Sequence, residues 1–225
     1  FLSRFIVAML VIAMYACSTE EPKKPTDATS STFTDSRDGN VYKYVKIGNQ
    51  VWMAENLRYL PRVVGPGTGS HTTPYYYVYD YSGTNVADAK AEANYTTYGV
   101  LYNWPAAMDA CPSGWHLPSD AEWAQLTDYL GGTTSIAGGK LKEIGTTHWY
   151  SPNNCATNET GFTALPGGGR SSSGNFSYIG YSGYWWSAME GNTYAWNRGV
   201  FYDGSDVVSY VSFKEVGFSV RCVRD

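Results

Sequence analysis

The chain has 225 residues, of which 43% are hydrophobic and only 16% charged, a balance that excludes an intrinsically disordered protein. Its length supports one sizeable domain with a core of its own, or two small ones. A formal net charge of -4 leaves no basic face for a phosphate backbone and excludes nucleic acid as a partner.

The chain opens FLSRFIVAMLVIAMYACSTEEPKKPTDATSST. Arg4 gives a short positive start, and the apolar run from Phe5 to Ala16 falls short of the roughly 20 residues that span a bilayer. Residues 1–16 are therefore read as an export signal. Met14, Tyr15 and Ala16 before Cys17 resemble the cleavage box of bacterial lipoproteins, which implies that the Cys17 thiol carries lipid and attaches the chain to a membrane. Ser18, Thr19, Glu20 and Glu21 resemble the acidic tail that directs such lipoproteins to the outer surface of the outer membrane. Residues 17–34, rich in Pro, Lys, Thr and Ser, read as a flexible tether. The folded domain is expected over residues 35–225.

Within it, 24 glycines and 20 tyrosines point to many turns between short aromatic-rich strands, with few helices. Val41 to Ile47 and Gln50 to Met53, separated by Gly48 and Asn49, read as a hairpin. Asp35, Asp38, Gly39 and Asn40 read as a plain turn, since the glycine stands at the wrong step for a calcium loop and no glutamate closes one. Residues 61–98 form a loop-rich insertion. Its PYYYVYDYSG segment, if extended, puts Tyr75, Tyr77, Tyr79 and Tyr81 on one side, either packed or forming an aromatic rim.

Helical signals concentrate in residues 104–130. Pro105 suits a first turn, followed by Ala106, Ala107 and Met108. Ser119 and Glu122 form a capping box ahead of the stripe Trp123, Leu126, Leu130, which Gly131 and Gly132 end. The two helices flank an extended WHLP link. Strands with long loops are expected from Thr133 onward.

With Cys17 set aside, Cys111, Cys155 and Cys222 remain in an oxidising compartment. Three thiols permit one bridge and one leftover, and spacing leaves the pairing open. Cys155, in the polar stretch SPNNCATNE, reads as the odd one. Zinc is not expected, because there is no CxxC pair and no histidine at a ligand interval.

YKYVKIGNQVWMAENL, ACPSGWHLPSDAEW, GFTALPGG, GYWWSA and GFSVRCVRD, in this order, resemble the Fibrobacter succinogenes major paralogous domain of bacterial surface and secreted proteins. That family is similar to the C-type lectin-like fold, and WHLPSDAEW with GFSVRCV is similar to the formylglycine-generating, sulfatase-modifying branch. The resemblance implies an α+β domain with two helices, a small antiparallel terminal sheet and a long loop-rich β excursion carrying the ligand surface. It also implies a bridge from a cysteine near the first helix to one in the last strand, the positions of Cys111 and Cys222. The copper-holding cysteine pair of the sulfatase-modifying enzymes is not matched, since Cys222 stands alone. Calcium-dependent lectins hold the ion with a Glu-Pro-Asn loop and a Trp-Asn-Asp strand. Here Trp196 and Asn197 are followed by Arg198, and the domain contains no Glu-Pro-Asn, so no metal or other cofactor is expected.

The sequence contains no GxSxG elbow, no HExxH and no P-loop. His116 reads as a hydrogen-bonded structural residue, and His71 and His148 lie in loops with no adjacent acid or nucleophile. RSSSG, residues 170–174, reads as a loop. A carboxylate pair for glycoside cleavage would have to assemble in space from Glu159, Glu190, Asp203 or Asp206. The chain is read as a non-enzyme.

The run GYWWSAMEGNTYAWNRGVFYDG carries the binding expectation. Alternation puts Trp185 and Trp186 on opposite faces, so that at most one belongs to the core, and sets Tyr194 with Trp196 against Ala195 with Asn197. Rings beside Ser, Gly and Asn are the composition of adaptable binding surfaces. Tyr178, Tyr181, Tyr194, Trp196, Asn197 and Tyr202 are therefore expected to contact an extracellular glycan or protein. The fold resemblance adds the expectation of a receptor or adhesin diversified by a retroelement that alters adenine-containing codons. The alternative is a structural domain of a surface assembly.

Overall fold

In a computed structural model, residues 31–132 and 136–225 are described. The export signal, Cys17 and most of the tether lie outside them. The tether was expected to run to residue 34, but Ser31–Thr34 is a strand, β1, antiparallel to the next one along all four residues. Phe33 supplies the reason, stacking 4.6 Å from Trp115 and 5.5 Å from Tyr42, an apolar anchor inside an otherwise polar segment.

The chain then forms β2 (Val41–Ile47), β3 (Gln50–Met53), β4 (Tyr76–Tyr77), α1 (Val86–Ala91), α2 (Ala93–Tyr98), β5 (Leu101–Tyr102), α3 (Trp104–Met108), β6 (Trp115–His116) and α4 (Asp120–Tyr129). After these come α5 (Ala137–Leu141), β7 (Gly167–Arg170), β8 (Phe176–Ile179), β9 (Ser182–Glu190), β10 (Tyr194–Phe201), β11 (Val208–Phe213) and β12 (Val223–Arg224). The domain is mostly β with short helices. None of the described helices is long and apolar enough to cross a membrane.

The hairpin β2–β3 closes with Ile47 opposite Gln50, and Gly48 takes the positive φ of the turn, +59°. Asp35 is buried and paired with Arg37 at 2.7 Å, while Asp38 accepts from the Asn40 backbone, so the acidic cluster is a turn. α3 starts behind the N-cap Asn103 with Pro105 in its first turn, and α4 carries the full Ser119–Glu122 capping box. Trp123, Leu126 and Leu130 are all buried.

The insertion is more ordered than its composition suggests, since α1 and α2 form within it. Asn85 caps α1 through its side chain. PYYYVYDY is not a continuous strand; only Tyr76 and Tyr77 pair, with Tyr102 and Leu101. Tyr76, Tyr77, Val78 and Tyr79 are all buried, so the rings pack on both sides and form no rim.

Two five-stranded sheets carry the domain, in the orders β1-β2-β3-β12-β6 and β11-β10-β9-β7-β8. All pairings in them are antiparallel except β7 with β9. Residues 217–221 run between the sheets: Gly217 bridges to Arg170, Phe218 to Tyr102 and Ser219 to Trp185, before Val223 pairs with Trp52 and His116. The chain therefore ties the second sheet to the first just before it ends.

Two main cores result, and the central strands lie between them. Met53, Trp186 and Cys222 face one core, while their neighbours Trp52, Trp185 and Val223 face the other. The expectation that only one of Trp185 and Trp186 is buried is thereby corrected; they are 2% and 0% exposed. Alternation sends them to opposite faces as read, but both faces of β9 are covered.

Cys111 and Cys222 are bonded, with Cα atoms 5.9 Å apart and a sequence separation of 111. Cys155, expected as the leftover thiol, is not free either; no described cysteine is.

Candidate functional site

The second sheet builds a concave site on one face. β7 reads GGGR, and its glycines let β8 and the 217–218 segment approach closely. A Cβ at Gly168 would lie 2.2 Å from the Ser177 carbonyl oxygen, and one at Gly169 would lie 2.8 Å from the Phe218 ring. β8 therefore curls over β9 and β10. Residues 171–175 turn back between the strands, with Ser171 N–H donating to the Asn175 carbonyl at 2.9 Å and Asn175 N–H to Ser171 Oγ at 3.1 Å.

Between this hairpin and the face of β9, β10 and β11 lies a cavity of about 500 Å³. Tyr178, Tyr184, Phe201, Tyr210 and Phe218 give it an aromatic lining. Tyr184 is the hub: Phe218 stacks on it at 4.9 Å, and Phe201 and Tyr210 meet it edge-on at 5.9 and 6.5 Å. Gly199 lets these rings pack down on β10, since a Cβ there would stand 3.1 Å from the Tyr210 ring and 3.2 Å from Tyr184. Burial pushes the Tyr184 and Tyr210 hydroxyls above the usual phenol range, so both stay neutral donors at physiological pH.

The polar part of the lining is hydroxyls and amides. Asn197 is fully buried, its Nδ2 donating to Ser212 Oγ at 3.0 Å, while its Oδ1 has no partner. Arg170 is 1% exposed and pins three segments, donating 2.7 Å bonds to the Pro66 and Glu215 carbonyls with its guanidinium 4.7 Å over Tyr77. Tyr178 sits in the left-handed region at φ +69°, 62% exposed. A bulky residue held there is strained, and such strain gathers at ligand clamps.

Of the six residues expected to bind, Tyr178 and Asn197 line this cavity. The other four are elsewhere. Tyr181 packs at 4.5 Å from Tyr150 and 5.4 Å from Tyr202, whose ring rests on the core beneath. Tyr194 stacks 4.6 Å from Phe213, and Trp196 stands opposite Val211 in the β10–β11 register. Tyr184, Phe201, Tyr210 and Phe218 were not anticipated. The β9 and β10 alternation that separated Tyr194 from Asn197 also separates Tyr184 from Trp185, but only the curl of β8 reveals which face is hollow.

The candidate acids do not converge. Glu159 pairs with Lys140 at 3.2 Å and Glu190 with Lys214 at 2.5 Å, while Asp203 and Asp206 face Lys142. Lys142 is fully buried, donating to the Phe201 and Gly204 carbonyls at 2.9 and 2.8 Å, and burial brings its pKa down to about 8. His148 meets Glu143 at 2.9 Å, five residues away. His116 is the structural residue expected, with Nδ1 2.5 Å from Asp225 and Nε2 2.8 Å from Glu122. Arg198, in place of a calcium-binding acid, pairs with Asp120 at 2.7 Å.

A buried polar hub went unread in the sequence. Arg221, fully buried, donates to Asn56 Oδ1 at 2.8 Å and to the Met53 and Phe162 carbonyls, with its guanidinium 4.2 Å over the Phe162 ring. Trp185 Nε1 donates to the same Asn56 oxygen at 2.9 Å. Burial lowers the Arg221 pKa to about 9.

No curated protein and no solved structure matches the chain. Residues 45–224 match the family described as the Fibrobacter succinogenes major domain. That match begins inside β2, ends in β12 and so takes in the second sheet, most of the first and the whole cavity; the chain belongs to the Fibrobacter succinogenes major domain family.

Proposed function

We propose that this domain is a recognition module, displayed outside a bacterial cell by a lipid on Cys17, that holds an extracellular glycan or protein segment in the aromatic cavity. The observation that carries the reading is the cavity itself: an aromatic hollow of ligand size with hydroxyl and amide groups around it. Its rings have few rotors to freeze, and an unpartnered Asn197 oxygen waits in its wall. The lining has no carboxylate, histidine, cysteine or lysine, which favours binding over catalysis.

We further read the architecture as C-type lectin-like. In support, β2 and β3 share a sheet with β12, a cysteine just past α3 is bonded to one just before β12, and the connections between are long. Exposed Tyr178, Tyr181 and Tyr194 suit a surface diversified by a retroelement, whereas buried Asn197 does not. The alternative, a structural domain of a surface assembly, is favoured by the burial of both tryptophans of GYWWSA.

An array of glycans and bacterial or host surface proteins, probed with the full chain and with a Tyr178→Ala/Tyr210→Ala variant, separates these readings. The module reading expects binding that the variant loses at an unchanged melting temperature. Binding untouched by the variant, or a variant that melts early while keeping its ligand, refutes it.

A further inference from the structure

The cavity borders a free strand edge. β11 is the outermost strand of its sheet, and among the described strands it pairs only with β10. Its sequence, VSYVSF, has no charge and no proline, and Tyr210, Val211 and Phe213 are 40%, 51% and 42% exposed. Folded proteins ordinarily blunt such an edge with lysine, proline or a bulge, because its unpaired N–H and C=O groups template another strand. Here the irregularity in the pairing lies on the far side, in the β9–β10 ladder at Ala195 to Asn197, and β11 runs in unbroken register with β10. Tyr210, Val211 and Ser212 belong at once to this edge and to the cavity lining.

We propose that the ligand is an extended polypeptide segment that adds to β11 as a sixth strand and places one uncharged aromatic or aliphatic side chain in the cavity. The inference rests on the binding reading above and narrows its ligand. The partner is deduced from the chemistry of the edge: a row of alternating donors and acceptors at a spacing of about 3.4 Å per residue is complemented by another backbone. A saccharide can stack on the rings but offers no such row. The side chain is aromatic or aliphatic because rings and valines dominate the lining; Arg170, its one ionic group, is 1% exposed, with Nε and Nη1 on two carbonyls and Nη2 unpartnered. Strand addition supplies affinity through the main chain and specificity through the pocket, which fits a lining of rings with adaptable hydroxyls beside them.

The test screens the full chain against a random linear nonapeptide library and, in parallel, a glycan array. The proposal expects selected peptides to protect the amides of residues 208–213 from hydrogen exchange. N-methylation of the peptide amides on one alternating set should weaken binding at least tenfold, while methylation of the other set leaves it nearly unchanged. Peptides that bind without protecting 208–213, or that tolerate both methylation patterns, overturn it. So does concentration-dependent self-association abolished by Val211→Lys, which would seat a second copy of the chain on the edge. Glycans bound in the cavity with no peptide selected would sink the strand proposal and leave the recognition reading standing. Absence of any ligand sensitive to Tyr178→Ala/Tyr210→Ala would remove both.

Discussion

Arg221 and Trp185 donate to a single acceptor, the Oδ1 of Asn56, at 2.8 and 2.9 Å. A guanidinium with no exposure is thus held by one amide oxygen and a ring of backbone carbonyls, with no carboxylate in contact. Removing that acceptor leaves buried donors unsatisfied, a loss typically worth about 1–3 kcal/mol and more where a charged group is involved. Asn56→Leu is therefore expected to lower unfolding free energy by about that amount in urea titrations, and Trp185→Phe by about 1–2 kcal/mol.

The Cys111–Cys222 bond closes a loop spanning 111 residues. Constraint of so long a loop in the unfolded chain is worth on the order of 4–5 kcal/mol. A Cys111→Ala/Cys222→Ala variant should show a denaturation midpoint lowered to match, with the m-value increased as the unfolded ensemble expands.

His116 joins β6, α4 and the Asp225 carboxylate. Burial disfavours its charge, but the hydrogen bonds to Asp225 and Glu122 prevail and raise its pKa above 6.5. A raised pKa means that the native state holds the proton more tightly, so this stabilisation is complete below 6.5 and fades as pH climbs through the folded value. Glu122 is the reverse case: burial raises and its bonds to Ser119 and His116 lower its pKa, to a net value below 4.5, so its contribution fades as pH falls. Melting temperatures measured from about pH 6 to about pH 9 should decline less steeply for His116→Gln than for the natural chain.

Lys142 should produce a slope of opposite sign. Burial lowers its pKa from 10.5 to about 8, so between these values the unfolded chain binds the extra proton and stability increases with pH. The recovery is on the order of 3 kcal/mol over that interval. Lys142→Met should lack the rise when the two unfolding curves are compared at each pH.

Local chemistry made much of the fold legible. The β2–β3 hairpin, the Pro105 and Ser119 helix starts and the buried stripe of α4 all follow from turn residues, caps and periodicity within a few positions. Alternation along β9 and β10 was also correct. What it could not contain was the number of covered faces, so Trp185 and Trp186 were split between core and surface when each has a core of its own. α1 and α2 were missed because six-residue helices carry too few turns to show a stripe. At the site, Tyr178 and Asn197 were found by composition, while Tyr184, Phe201 and Phe218 needed the close approach that the β7 glycines allow. The five motifs that reveal the family mark folding instead: Asn56, Phe162, Trp185 and Arg221 come from four of them and meet in one buried hub.

The strand β9 presses a tryptophan into each of two cores and at the same time provides Tyr184 as the hollow's centre. One wall of the hollow is thus welded to the girders of the molecule, whereas β8 and β11 stand at the margins of their sheet, β8 leaning with Phe176 and Ile179 on the small Tyr77, Tyr79 and Leu101 cluster. Substitutions on the marginal strands should therefore cost the molecule less stability than substitutions along β9.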